Sequence, residues 1–236
     1  DGIRDLVRSR GLGDVYKRQG LIIIGGGLLS YPASKTPYRG FSVSEDRHVP
    51  SLRKLAEAIH KNSCPALVQI FTPGPMSKDG DSEFGPVGAS FIPKDELPAA
   101  WMQPPREIQI EEINELKQKY IEAAQRIKEA GFDGIEINAA CFNLFNSFLS
   151  LAWNRRQDIY GMHSCGSRSR ILTDIIKGIK QQCGNEFVIS VLINGAEPGL
   201  ENGLTVEESS VIAHLLEIAG ADVLQIRAEV YNNPLN

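Results

Sequence analysis

The sequence lacks the features that mark several classes of protein. Its four cysteines among 236 residues contain no C-x-x-C pair, so neither a disulfide framework nor a zinc site of ordinary spacing is indicated. No apolar run reaches the roughly 18 residues of a transmembrane helix, and a net charge of −4 offers no basic surface for nucleic acid or an anionic membrane. We expect a reduced, cytoplasmic protein that acts on a small-molecule substrate, with no nucleic acid and no membrane as partner. A homo-oligomer stays open.

The sequence also has little that could hold a metal ion. Its four histidines are far apart and share no ligand spacing. Asp79, Asp81 and Glu83 suggest the start of a calcium loop, but the glycine and the distal glutamate of such a loop are missing. They belong to a long loop over residues 72–109, and loops of this length in compact domains are typically lids or binding loops. We therefore expect no metal site.

Residues 1–19 differ from the rest of the chain. They carry a net positive charge, follow neither a period of 2 nor one of 3.6, and lack the apolar centre of a secretory signal. We expect a leader that is non-native or disordered. The folded domain is placed at residues 20–236.

From residue 20 onward, strand and helix patterns alternate. Five short apolar runs predict strands, at residues 20–24, 65–71, 134–137, 187–193 and 222–227. Four amphipathic stretches between them predict helices, at residues 50–62, 111–130, 167–183 and from the capping box of Thr205 and Glu208 to the residue before Gly220. Strict alternation with apolar strands indicates a parallel sheet covered on both faces.

Two α/β architectures fit this alternation, a (β/α)₈ TIM barrel and an open doubly wound sheet. A barrel needs eight strands, of which the chain shows five. A doubly wound dinucleotide fold is less favoured because no strand is followed by G-x-G-x-x-G. The run of glycines at residues 25–27 lacks the Lys-Ser/Thr of a P-loop, and it predicts a tight turn or a close approach of something flat to the backbone.

A polar pair follows the strand at residues 134–137. Asn138 and Cys141 lie just past its carboxyl end, which in a parallel α/β barrel is the edge that carries the chemistry. An amide donates and accepts hydrogen bonds, whereas a thiol donates weakly. We expect these two residues to bind the reacting group of a substrate.

The chain resembles the middle portion of the old yellow enzyme family, the NADH:flavin oxidoreductases. GLIIIGG and PALVQIF resemble the second and third barrel strands of that family, and PPREIQIEEINELKQKYIEAAQRIKEAGFDGIEI resembles its next helix and fourth strand. FLS, Asn154, Arg156, Asp158 and the following Tyr-Gly follow the family's pattern after strand four. The resemblance implies an incomplete (β/α)₈ TIM barrel, with about strands 2 to 6 present, and FMN at the carboxyl ends of the strands.

The resemblance also implies two cofactor contacts. Gly26 would lie against the flavin, since a residue without a side chain lets a flat ring approach. Gln69 would hydrogen-bond the pyrimidine edge of the ring, for which an amide is suited. The alternative for Gln69 is a polar side chain satisfied inside the barrel. Arg156 and Asp158 are expected to pair and to stabilise the loop rather than to bind phosphate.

The sequence departs from the family at the reacting centre. Asn138 and Cys141 stand where the family has His-x-x-His or His-x-x-Asn, and Asn143 stands where many members have a proton-donating tyrosine. Leu192 replaces an arginine that would stabilise the negative charge of a reduced flavin. Thr72 replaces a histidine after strand three.

The implied function is an FMN-dependent oxidoreductase. Hydride would pass from NADH or NADPH through the flavin to an electron-poor alkene or a related acceptor, as in ene-reductases. Two alternatives stay open: a divergent flavin barrel that feeds an appended iron–sulfur domain, and a non-catalytic, decayed barrel, which the joint loss of arginine, histidines and tyrosine favours. With strands of the barrel missing from the sequence, this chain alone should be marginally stable or prone to aggregate.

Overall fold

A computed structural model describes residues 20–29, 41–77 and 85–228 of the chain. Its main feature is a six-stranded, all-parallel sheet with the spatial order β2-β1-β3-β6-β7-β8. A second, two-stranded sheet joins β4 to β5. The strands are β1 (Ile22–Leu28), β2 (Phe41–Ser42), β3 (Ala66–Ile70), β4 (Val87–Gly88), β5 (Arg106–Glu107), β6 (Gly134–Ala139), β7 (Val188–Ala196) and β8 (Val223–Ala228).

Five α-helices connect these strands. They are α1 (Val49–His60), α2 (Ile110–Glu129), α3 (Leu144–Leu149), α4 (Cys165–Cys183) and α5 (Val206–Ala219). Short 3₁₀ helices cover Asp46–His48, Gly74–Met76 and Lys94–Glu96. None of the helices in the described ranges is long and apolar enough to cross a membrane.

Helix α2 shows how the sequence dictates the packing. Its apolar residues recur every three or four positions, so they form one stripe. Ile113, Leu116, Tyr120, Ala124 and Ile127 are all at most 1% exposed, and burying each large apolar side chain contributes roughly 1.5–3 kcal/mol. The helix begins where the Glu112 carboxylate accepts the backbone N–H of Gln109 at 2.8 Å, which satisfies one of the orphan donors of the first turn.

The sheet has two different faces. Successive side chains on a strand alternate between faces, and one face of β3, β6 and β7 is purely aliphatic and packs against the helices. The residues of that face are Val68, Ile70, Ile135, Ile137, Ile189, Val191 and Ile193. The opposite face carries polar side chains, and they are Gln69, Glu136, Asn138, Ser190 and Asn194. An aliphatic outer face under helices and a polar inner face are the arrangement of a barrel wall that lines a site.

The structure corrects several predicted elements. The first strand does not end at the glycines but runs through them to Leu28, with a shift of register between Ile24 and Gly27. Strand β2 and helix α3 were not predicted, and the long loop over residues 72–109 contains β4, β5 and two 3₁₀ helices. The other predicted elements agree with the structure to within three residues at either end. The predictions for residues 1–19 and for Asp79, Asp81 and Glu83 fall outside the described residues.

Candidate flavin and substrate site

The four residues singled out from the sequence meet at one edge of the sheet. Gly26 lies on β1, Gln69 on β3, Asn138 on β6 and Cys141 just past β6. These strands are consecutive neighbours in the parallel sheet, so their carboxyl ends share an edge. Parallel α/β folds place ligands at that edge.

Gln69 belongs to a polar layer that crosses three strands. Gln69, Glu136 and Ser190 are aligned in the register of β3, β6 and β7. The Gln69 Nε2 donates to Glu136 Oε1 at 2.6 Å, and the Ser190 hydroxyl donates to Glu136 Oε2 at 2.9 Å. A carboxylate only accepts hydrogen bonds. Glu136 therefore holds the NH₂ group of Gln69 and leaves its carbonyl oxygen to face away.

The glycines of β1 leave that carbonyl oxygen uncovered. A Cβ atom at Gly25 would lie 3.7 Å from Gln69 Oε1, so the missing side chain is what opens this side of the amide. Gly26 has a φ of 95°, a backbone conformation that glycine adopts more easily than any other residue. It lies at the bulge where the register of β1 shifts. The part of the chain that is described offers no donor to Gln69 Oε1. The amide oxygen is thus available to a ligand beside Gly25.

Asn138 is oriented by the turn that follows β6. Its Oδ1 accepts the backbone N–H of Ala140 and the Nδ2–H of Asn143, both at 3.1 Å. Its own Nδ2 has no acceptor within the described ranges. This leaves Asn138 with one donor group for a substrate.

Cys141 lies in an unusual turn. Cys141 and Phe142 have φ values of 61° and 60°, a left-handed conformation that costs a residue with a side chain roughly 1–2 kcal/mol. The Trp101 indole N–H donates to the Phe142 carbonyl at 2.9 Å, which fastens the long loop to the turn. All four cysteines of the chain are described, and none is in a disulfide.

Asn143 has a structural task in place of the family's tyrosine. Its side chain accepts the backbone N–H of Asn146 at 3.1 Å and so caps α3, while its Nδ2 donates to the Asn138 carbonyl at 2.7 Å. Only 2% of Asn143 is exposed. A side-chain amide is no acid near neutral pH, so Asn143 has a structural task and cannot supply a proton.

Two further departures from the family can be located. Leu192 is in register with Asn138 on the polar face and is 9% exposed. Its side chain is uncharged, so this position carries no cation. The Thr72 hydroxyl lies 3.1 Å from the Tyr120 hydroxyl. Burial raises the pKa of Tyr120 above its ordinary value, and the hydrogen bond with Thr72 only partly opposes that shift. Thr72 therefore forms a hydrogen bond with α2.

Arg156 stabilises the long loop, as its pairing pattern predicted. Its guanidinium, 3% exposed, donates to Asp158 at 2.5 Å and to the carbonyls of Ala89 and Ile108 at 3.0 and 2.7 Å. Burial by itself would raise the pKa of Asp158, but the hydrogen bonds from Arg156 and from the Tyr160 backbone outweigh it and hold that pKa below its usual value. The expected structural role of the pair is confirmed.

Sequence reasoning missed three buried polar residues near this edge. Glu136, Asn194 and Glu197 are at most 3% exposed. They hydrogen-bond Gln69 on β3, the turn after β6 and Asn146 on α3, respectively. For Glu136 and Asn194 the available signal was a charged or amide residue within an otherwise apolar strand, as in GIEI and VLIN. Glu197 follows the end of β7 and had no such signal. Nowhere in the described ranges do three or more His, Cys, Asp or Glu residues form a group that could hold a metal ion.

Comparison with known proteins decides the family. The model of the NADH:flavin oxidoreductase / NADH oxidase family matches residues 16–230. The chain belongs to this family. It is 36% identical to an NADH oxidase of Thermoanaerobacter brockii over 91% of the chain and 32% of that protein. It is 32% identical to an NADPH dehydrogenase of Listeria monocytogenes serotype 4b over 77% of the chain and 50% of that protein.

The solved structures agree on the fold. A 2-naphthoyl-CoA reductase complex superposes with a TM-score of 0.79 at 28% identity, covering 91% of this chain and 34% of that one. The described sheet is thus part of a (β/α)₈ barrel, as the resemblance implied, and the open doubly wound alternative is wrong. The chain spans between about a third and a half of the length of these relatives.

Membership of an FMN-dependent family raises the question whether the residues present fit the cofactor. The uncovered amide oxygen of Gln69, beside Gly25, fits the polar, flat pyrimidine edge of a flavin. The flavin contact expected of Gly26 stays a prediction. Leu192 does not supply the positive charge that favours a reduced flavin. The edge therefore fits FMN on its pyrimidine side, with NADH or NADPH as the reductant that the family uses.

Proposed function

We propose that this chain forms the flavin and acceptor face of an NAD(P)H-dependent oxidoreductase that reduces an electron-poor alkene or a related small molecule. The observation that supports it is the pair of unsatisfied amide groups on adjacent strands. Gln69 Oε1 faces Gly25, and Asn138 Nδ2 has no acceptor among the residues described. Two polar groups left open at the ligand edge of a barrel favour a bound cofactor and a bound acceptor.

Each residue then has a definite task. FMN, when bound, would supply hydride transfer between a reduced nicotinamide and the acceptor. Gln69 accepts a hydrogen bond from the pyrimidine edge of the ring, and Glu136 keeps its amide in the orientation for this. Asn138 donates to the carbonyl of the acceptor and so polarises it. Cys141 adds a weaker contact. Because the Asn143 amide is no acid near neutral pH, the proton would come from another group or from solvent.

The first test is the visible absorption spectrum of the purified protein, expressed with whatever residues its reading frame adds at either end. Oxidised flavin bands, with FMN released on denaturation, are expected. Replacing Gln69 with Ala should weaken FMN binding about tenfold or more, the effect of losing one buried hydrogen bond. Replacing Cys183, buried in α4 away from the edge, with Ala should leave it unchanged. Equal FMN affinity in the two variants would remove Gln69 from the cofactor site.

A non-catalytic barrel is the second candidate, because Leu192 removes a charge and Asn143 is committed to a helix cap. A folded, colourless protein that takes up no added FMN would make it the leading one. The further alternative, electron delivery to an appended iron–sulfur domain, remains a prediction that the same spectrum would test, since iron–sulfur clusters absorb across the visible range.

A further inference from the structure

The turn that carries Cys141 is held by two asparagines from different parts of the chain. The backbone N–H of Cys141 donates to Asn194 Oδ1 at 3.4 Å, and that of Phe142 donates to Asn146 Oδ1 at 3.1 Å. Asn194 lies on β7 and Asn146 on α3. Each of the two consecutive left-handed residues therefore has its own side-chain acceptor.

An asparagine can serve as that acceptor only in one orientation of its amide, since the two ends of the group are a donor and an acceptor. Glu197 fixes the orientation of both. The Nδ2 groups of Asn146 and Asn194 donate to the same oxygen, Glu197 Oε1, at 2.7 and 2.9 Å. Because a carboxylate offers acceptors alone, both amide oxygens must face the turn.

The carboxylate of Glu197 is itself immobilised. Its second oxygen, Oε2, accepts the Ser150 hydroxyl at 2.6 Å and the Leu204 backbone N–H at 2.9 Å. The residue is 3% exposed. The chain of contacts thus runs from a fixed carboxylate through two amides to two neighbouring backbone N–H groups.

We propose that Glu197 is a positioning residue of the substrate site. By orienting Asn146 and Asn194, it holds the Cys141–Phe142 turn in its left-handed form and thereby sets where the Cys141 thiol and the Phe142 ring lie. The part of this inference that concerns substrate rests on the proposed function. The part that concerns the turn does not.

The turn can be tested by hydrogen exchange resolved to single amides in the wild type and in Glu197→Gln. A glutamine offers one acceptor oxygen in place of two. In either orientation its NH₂ group faces two of the four donors named above, which weakens the cluster that orients the asparagines. The amides of Cys141 and Phe142 should then exchange about tenfold faster, the effect of one lost hydrogen bond. Amides of α2 should not change. Glu201→Gln, the same substitution at an exposed residue of the same loop, should leave the turn as it was. Unchanged exchange at both turn amides in Glu197→Gln would overturn the proposal.

Two further variants cover the case in which Glu197→Gln does not fold. Asn194→Leu should speed exchange at Cys141 alone, and Asn146→Leu at Phe142 alone. Faster exchange at neither amide would contradict the proposal as well. Alkylation of Cys141, measured by mass spectrometry against Cys165 in the same molecule, should change by several-fold in Glu197→Gln, because the thiol moves with the turn.

The substrate part is tested separately in the flavin-loaded protein. Purified Glu197→Gln should retain the wild-type content of FMN, while KM rises for 2-cyclohexen-1-one, a simple electron-poor alkene. An unchanged KM beside faster exchange would restrict Glu197 to the turn and overturn its role toward substrate. If the wild type binds no FMN, the proposed function fails, but the exchange experiment still decides whether Glu197 controls the turn.

Discussion

At the scale of single residues, the pair of Arg156 and Asp158 should make the stability of the fold depend on pH. The pKa of Asp158 lies below its ordinary value, so the ionised form stabilises the fold. That contribution is complete above the pKa of the unfolded chain, near 4, and is lost as the pH falls through the lower, folded pKa.

Replacing Asp158 with Asn should therefore lower the free energy of unfolding at about pH 7. We expect a loss of about 3 kcal/mol, the lower end for a buried ion pair broken on one side, because Asp158 is itself 29% exposed while Arg156 is 3% exposed. The difference from the wild type should shrink once the pH falls well below 4. Denaturant unfolding at the two pH values measures both effects.

Asp95, an exposed carboxylate on the same long loop, is the control for this prediction. Asp95→Asn should change the stability by less than about 0.5 kcal/mol at either pH, as surface substitutions usually do. An Asp158→Asn loss that stays the same size in acid would show that the carboxylate charge is not what stabilises the loop.

The sequence allowed some residues of the site to be placed but not their partners. Asn138 and Cys141 could be found because they follow an apolar strand, and Gln69 because it interrupts one. Glu197 could not be found, because its partners Asn146 and Ser150 lie 51 and 47 positions away. A hydrogen bond of that separation has no local pattern and depends on the fold that brings β7 beside β6.

At the scale of elements, the 3₁₀ turn at Gly74–Met76 packs closely against the start of α3. A Cβ atom at Gly74 would lie 2.5 Å from Leu144 Cβ and 2.7 Å from its Cα. Gly74 also has a φ of 57°. A side chain there would have to displace the helix that carries Asn146.

Replacing Gly74 with Ala should lower the free energy of unfolding and disturb the site together. Overpacking costs about 1–3 kcal/mol and the left-handed backbone about 1–2 kcal/mol more. Thermal unfolding measures the first effect, and amide exchange at Phe142 measures the displacement of α3.

Gly166, in the first turn of α4, is the matched control. Its nearest atom to an added Cβ is Ser164 Oγ at 3.5 Å, an ordinary contact. Gly166→Ala should leave the stability unchanged or raise it by up to about 1 kcal/mol, since alanine favours a helix. Equal stability of the two alanine variants would contradict the prediction that Gly74 packs too closely on α3 to accept a Cβ atom.

Element prediction worked where the pattern was long. Helix α2, with 20 residues and one buried stripe, was predicted to within one residue at each end. Helix α3 was missed because its six residues are all buried, so no polar face alternates with an apolar one. The end of β1 was misplaced because its glycines, usually breakers, form a bulge at which Gly26 takes a positive φ.

At the scale of the whole molecule, alternation of strand and helix was enough to predict a parallel α/β architecture. It was not enough to choose between a closed barrel and an open sheet, because the same βαβ units build both. The resemblance separated them, through ordered matches in the strands, a helix and the loop after strand four rather than through the alternation itself. The six strands of the larger sheet form part of the wall, and among the described residues β2 and β8 are its edges.

The edge strand β8 is expected to cause self-association of the chain. Among the residues that the structure describes, β8 pairs only with β7, and its Val223 and Ile226 are 40% and 57% exposed. An apolar edge strand with unpaired backbone groups favours association with another chain. We therefore expect the 236-residue chain, expressed as it stands, to self-associate, with a sedimentation coefficient that rises with concentration.

Ile226→Lys should weaken this association about tenfold, since a lysine on an edge strand opposes pairing. Met102→Lys adds the same charge at a residue that is 61% exposed in the long loop, so it should have little effect. Equal weakening by the two substitutions would mean that general charge, and not the β8 edge, controls association.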